Sequence, residues 1–273
     1  EGGDLDRRLL LLEWVRLLLE RKPLIEPLGL KEILLRRASD PVAEVANKVT
    51  LCLAKAIEAD RDFGHQLALR LHEREETLVQ RAMADVLTRL FRRLTWDALP
   101  FLDAMLASED EGVLAAASAT VGDVKYLDKE QWADRLQQLA NHPLAIVRRN
   151  LVPNLREYIE HDPADSRGVF HDLWKDGDEV VHTRLRELML RMEEVAPDHF
   201  APQIKALHDA GADLEGLWKP LSLRRAERSQ AWQAWLAGEG EQPASEQRTV
   251  HVSQMEAPDN LPELGDALRS LDE

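Results

Sequence analysis

Apolar and polar positions along this chain follow the helical period, and the helices themselves recur every 34 residues. From Val147, steps of 34 reach Val113, Val79, Val45 and Leu11 in one direction and Val181 in the other. Four residues after each of these stand Val15, Val49, Met83, Ala117, Leu151 and Leu185. Eight residues after stand Leu19, Leu53, Leu87, Val121, Leu155 and Met189. All eighteen positions are apolar in a chain that is 44% hydrophobic, and the spacing i, i+4, i+8 places each trio on one stripe of a helix. A second series keeps the same period. Eleven residues before each anchor from Val45 onward stand Leu34, Ala68, Leu102, Leu136 and Phe170, and Ile204 continues the run. Eight residues before stand Arg37, Leu71, Met105, Leu139 and Leu173, then Leu207; only Arg37 is polar. Each unit therefore holds two helices in fixed register. One helix pair cannot bury both of its faces, so neighbouring pairs must stack into a continuous core.

The pattern predicts a helix over 4–21, broken by Pro23 and Pro27, with a shorter partner over 28–37. Further pairs follow over 41–57 and 61–73, 76–92 and 96–106, and 110–124 and 129–140. Two more occupy 144–160 with 164–175 and 178–195 with 199–210. Turn residues at Asp60, Thr95, Asp128, Asp162-Pro163 and Pro197-Asp198 separate the partners, and Ser39-Asp40-Pro41 caps the helix that follows it. The register fails after Ala210, because the next step lands on Glu215 and Pro220 follows. Short helices over 213–217 and 224–236, with Trp218, Trp232 and Trp235 as bulk, then form a cap over 211–237 that closes a solenoid spanning 1–237. Residues 238–260 are rich in Gly, Glu, Gln, Ser and Pro and are expected to form a flexible acidic linker. In 261–273, Leu261, Leu264, Leu268 and Leu271 return at helical spacing. That amphipathic segment either docks, in cis or on a partner, or frays.

The turn His142-Pro143 and the run Leu144-Ala145-Ile146-Val147-Arg148, followed by Leu151 and Leu155, resemble the HEAT-repeat consensus. Asp40-Pro41-Val42-Ala43-Glu44-Val45, followed by Val49 and Leu53, is similar, with Ala46 where that family prefers Arg. Gln80, Leu114 and His182 hold the Arg position in other units. Tetratricopeptide repeats share the period, but their Trp-Leu-Gly-Tyr and Ala-Phe-Pro signature is missing. The resemblance implies an all-α, right-handed α-solenoid of about six HEAT-like helix pairs, with first helices convex and second helices lining the concave side. It also implies a scaffold or adaptor role, or a sensor segment within a longer parent chain. One HEAT-like branch consists of DNA glycosylases that excise alkylated bases. In such stacks the consensus arginine bonds an acid of a neighbouring unit, for which Glu111 and Asp178 are the candidates for Arg148.

Charge narrows the partners. A formal net charge of −15 argues against a generic nucleic-acid binder and against an anionic membrane surface. Cys52 is the sole cysteine, which leaves no disulfide or cysteine-based zinc site and fits a reducing, cytoplasmic setting; beside Leu53 it reads as packing. No stretch approaches the ~20 apolar residues of a membrane span. Nucleotide-binding loops, a nucleophile elbow and a His-Glu-x-x-His pair are all missing, and the spacings His161/His171 and His199/His208 do not suit helix-borne metal ligands. No cofactor or metal is expected.

The expected function is a non-enzymatic, protein-binding scaffold. Its binding surface is the solvent side of the second helices: Glu32, Arg36, Gln66, Arg70, Asp134, Gln138, Asp172 and Lys175, a mixed-charge face suited to a protein partner. The alternative, an alkylated-DNA glycosylase, would use Trp132 with Trp96 and Trp174 for stacking. Arg148 and Arg149, with Arg184 and Arg186, would take phosphates, and Asp134 the lesion.

Overall fold

The computed structural model describes residues 2–218 and 223–243, and among these every regular element is a helix. Gly2–Leu18 (α1) pairs with Leu30–Ala38 (α2), Ala43–Ala59 (α3) with Arg61–His72 (α4), and Thr77–Leu94 (α5) with Leu99–Leu106 (α6). Glu111–Thr120 (α7) pairs with Lys129–Leu139 (α8), Ala145–His161 (α9) with Ser166–Trp174 (α10), and Glu179–Val195 (α11) with Pro197–Asp209 (α12). First helices stack in chain order, α1 on α3, then α5, α7, α9 and α11, while α2 meets α4 and α10 meets both α8 and α12. The chain is an all-α solenoid of stacked helix pairs, followed at its C-terminal end by Glu215–Trp218 (α13) and Leu223–Leu236 (α14).

The repeat positions make the core. Every anchor from Val45 to Val181, and all the residues four and eight places on, are buried. Leu11 is the exception: it is half-buried, and Leu12 takes the fully buried place, because α1 has a neighbouring first helix on one side only. Arg37 also departs as its polarity requires. Its guanidinium bonds Asp40 at 2.9 Å while Ala38 fills the core.

Two expected helices are interrupted. Residues 110–124 divide into α7 and a 3-10 segment at Val121–Tyr126. The run Ser118 to Gly122 combines small, β-branched and glycine residues, which hold an α-helix poorly. The helix expected from Trp96 starts as a 3-10 turn, Thr95–Ala98, where Thr95 takes a φ of 55°. Trp96 thus precedes α6 and is half exposed. Pro153 lies inside α9 and cannot donate to the Arg149 carbonyl; that oxygen accepts Arg184 Nη1 of α11 at 3.0 Å instead.

At the C-terminal end Trp232 is 1% exposed and meets the Phe200 ring edge-on at 4.7 Å. Its Nε1 donates to Glu193 Oε1 at 3.1 Å, and Arg228 pairs with the same carboxylate. Trp218 and Trp235 pack on this core partly buried. No helix among the described residues is long and apolar enough to cross a membrane. The linker expected at 238–260 falls outside the described residues beyond Pro243, as does all of 261–273.

Candidate functional site

Second helices bury one stripe, so the opposite stripe is a row along the stack. Glu32 and Arg36 of α2, Gln66 and Arg70 of α4, and Asp134 and Gln138 of α8 are all exposed, as is Lys175 at the end of α10. None of these seven side chains makes a hydrogen bond or ion pair with the rest of the described chain. Asp172 differs: it is half-buried and accepts Asn141 Nδ2 at 2.7 Å.

The charges between units are engaged. Arg149 grips Asp178 through two hydrogen bonds at 2.9 and 2.5 Å, and Asp178 also accepts the Val180 and Val181 N–H groups as the cap of α11. Two periods earlier Arg81 grips Asp110 in the same way at 2.9 and 2.8 Å, and Asp110 caps α7. The guanidinium, with the capping N–H behind it, lowers the Asp110 carboxyl to about 2 and holds Asp178 far below the usual range. Arg135 of α8 binds Asp103 of α6 with contacts at 2.8 and 3.0 Å.

Arg148 chooses neither Glu111 nor Asp178. Its guanidinium forks onto Asp176, which is nearly buried, at 2.5 and 2.9 Å, and its other arm donates to the Pro143 carbonyl at 2.9 Å and to that of His142. Asp176 stands four periods after Asp40, and that carboxylate is likewise buried between cations, Arg8 at 2.7 Å and Arg37 at 2.9 Å. Burial pushes the Asp40 carboxyl up, but the Val42 N–H and the two guanidiniums outweigh it and leave it below the ordinary value. Two of the other residues at the consensus Arg position, Gln80 and His182, keep part of its task. Gln80 donates to the His72 carbonyl at 3.0 Å and to that of Arg74, and the His182 ring meets the Asp176 carbonyl. Where Ala46 has no donor, Arg74 of the following turn reaches back to the Ala38 and Asp40 carbonyls at 3.1 and 2.7 Å.

These contacts decide what the tryptophans and arginines of the glycosylase alternative are free to do. Trp132 is fully buried, with its ring 5.7 Å from that of Tyr158, so neither face can take a base. Trp174 is 7% exposed and donates Nε1 to the Asp213 carbonyl at 3.1 Å. Arg148 and Arg149 are held by carboxylates, and Arg184 donates to the Arg149 carbonyl. Asp134 stays exposed on α8, and Arg186 is half-buried with its Nε on the His182 carbonyl at 3.3 Å. Cys52 is buried, and burial pushes its thiol up to about 12, so no thiolate nucleophile forms at neutral pH. Among the described residues, no group of three or more His, Cys, Asp or Glu is placed to hold a metal ion.

No family model matches the chain, and no curated protein matches it. Among solved structures it is similar to two engineered proteins and a designed armadillo repeat protein. The first shares 18% identity over 77% of this chain and 97% of its own, with a TM-score of 0.49. The second shares 18% identity over 81% of this chain and 61% of its own, with a TM-score of 0.49. The armadillo design shares 13% identity over 70% of this chain and 91% of its own, with a TM-score of 0.44. The fold assignment above therefore stands on the periodic core and the order of helix contacts.

The pattern of apolar repeats does not register a gap on the second-helix side between α10 and α12. Gly168 stands there at the phase that carries Glu32, Gln66 and Asp134 in other units, and a Cβ added to it would meet nothing within 4 Å. A cavity of about 280 Å³ opens beside it, floored by Phe170 and Leu207 and bounded by Ala206, His171 and Arg167. The signal was a glycine in the phase of an exposed side chain.

Proposed function

We propose that this protein is a non-enzymatic scaffold that binds another protein along the solvent face of its second helices. The observation that carries this reading is the division of its charges. Those between units bond each other across the seams, whereas Glu32, Arg36, Gln66, Arg70, Asp134, Gln138 and Lys175 form a row without internal partners. Such a row is mixed in sign, which favours the patterned charges of a protein surface over a phosphate backbone. A net charge of −15 disfavours an extended phosphate backbone as the partner.

The test is affinity capture with the full chain and with a charge-reversed variant, Arg36→Glu, Arg70→Glu and Lys175→Glu. A protein retained near stoichiometry after nuclease treatment, and lost by at least about tenfold with the variant, supports the reading, since tenfold is about 1.4 kcal/mol. Capture of nucleic acid alone, abolished by nuclease, overturns it. Retention that the variant leaves unchanged places the interface elsewhere.

A further inference from the structure

Three large apolar side chains of α1 stand in water. Leu10 and Trp14 are each 59% exposed and Leu17 is 49% exposed, while Leu12, Val15 and Leu19 face the core. The spacing i, i+4, i+7 aligns the three as one stripe on the side away from that core. Later units show what this side meets. One period after Trp14, Lys48 pairs with Glu13 of the preceding first helix. Four periods after it, Asn150 donates to the Ala115 carbonyl and to Ser118 of α7, both at 2.9 Å. Arg184, one period further, donates to the Arg149 carbonyl of α9 at 3.0 Å. Ala82 and Ala116, at the same phase, are half-buried. The Trp14 phase is therefore the seam between first helices. On α1 it carries an indole, with no first helix before it among the described residues. An exposed apolar stripe rimmed by charge marks an interaction surface.

We propose that this face of α1 binds a second copy of the chain, with the two α1 helices antiparallel about a two-fold axis. The sequence of the face argues for that occupant. Leu10 and Leu17 share a midpoint between Glu13 and Trp14, and so do Asp6 with Arg21 and Arg7 with Glu20. A two-fold axis at that point sets Leu10 against the second copy's Leu17 and holds both Trp14 rings beside the axis. At each end it sets Asp6 against the second copy's Arg21, and Arg7 against its Glu20. One apolar step and two charge steps that pair with themselves about a common centre are what an isologous contact requires. The charges are available. Asp6, Arg7 and Arg21 are exposed, and their side chains make no hydrogen bond or ion pair among the described residues; Glu20 is exposed and pairs with Lys55. A parallel pairing would set each of these charges against its own kind and is disfavoured. The contact continues the stacking of first helices across the axis and leaves the second-helix row uncovered.

The experiment is sedimentation equilibrium on the full chain, in a concentration series up to the solubility limit. The wild type is expected to show a reversible monomer–dimer equilibrium. Leu10→Asp with Leu17→Asp is expected to weaken it by at least about tenfold. Both positions face water, so thermal unfolding should show the fold intact. Charge reversal then tests the register. Asp6→Arg alone and Arg21→Asp alone each set like charges together at both ends of the contact, whereas an equimolar mixture of the two variants sets opposite charges together at both ends. The mixture is expected to associate at least about tenfold more tightly than either variant alone. A mixture no tighter than its components overturns the antiparallel pairing. A dimer indifferent to Leu10→Asp with Leu17→Asp overturns the proposed face. A chain that stays monomeric throughout overturns the proposal and leaves the stripe to a different protein. The capture experiment reads the second-helix row, so the two readings fail independently.

Discussion

At Gly64 the absence of a side chain is a packing requirement. A Cβ there would stand 2.5 Å from Ile57 Cα and 2.7 Å from Ile57 N, so α4 could not leave the end of α3 at this angle. Gly64→Ala is expected to destabilise the fold by about 1–3 kcal/mol, read from denaturant midpoints. Asp110 supplies a test in acid. Its folded pKa, about 2, lies below the ~3.9 of an unfolded aspartate, so the unfolded chain takes up the proton first. Its contribution is complete above about pH 4 and disappears as pH falls toward 2. Asp110→Asn is therefore expected to flatten the loss of stability between pH 4 and 2 and leave the trend from pH 5 to 8 unchanged, as followed by circular dichroism. An unchanged acid slope would show that the Arg81 pair adds nothing. Much at this scale was legible: Cys52 as inert packing, Asp110 and Asp178 as helix starts, and Asp60 and Asp128 as turn residues, which the structure makes the caps of α4 and α8. Arg148 was misassigned to its candidates because two arginines and two aspartates, Asp176 and Asp178, adjoin one seam. Side-chain direction alone sorts them, although the shared phase of Asp40 and Asp176 held a clue.

Among elements, α9 shows how a local defect becomes a contact between units. Pro153 removes the donor that would have served Arg149 O, and Arg184 of the next first helix supplies one. Pro153→Ala is expected to raise stability by less than the ~3 kcal/mol that an interior proline costs. Arg184→Ala should cost about 0.5–1.5 kcal/mol in the wild-type chain and close to nothing beside Pro153→Ala. A double-mutant cycle with additive energies would remove the explanation. The helices themselves were legible from the apolar period, within a few residues at nearly every end. The 3-10 segments at Thr95–Ala98 and Val121–Tyr126 were not, because periodicity reports which face is buried and says little of how tightly a turn is wound.

The whole molecule is a chain of nearest-neighbour contacts, so its ends govern how it loosens. Trp232 closes the C-terminal end against Phe200 and Glu193, and Trp232→Ala is expected to cost about 3–5 kcal/mol. Hydrogen exchange should show the loss of protection in α11 and α12 with little change in α3 and α5; uniform loss would mean that the stack opens as one unit. By itself the sequence determined the all-α stack, its 34-residue register, the buried stripes and the place where the repeat ends. Burial requires apolar side chains at fixed helical intervals, and such intervals survive as a one-dimensional pattern. Tertiary structure alone decided which arginine meets which aspartate, that Trp132 turns inward, and that Gly168 borders a small cavity between α10 and α12. Those outcomes depend on distances between helices of different units, where a side chain's neighbours lie some thirty residues away along the chain and its polarity does not name them.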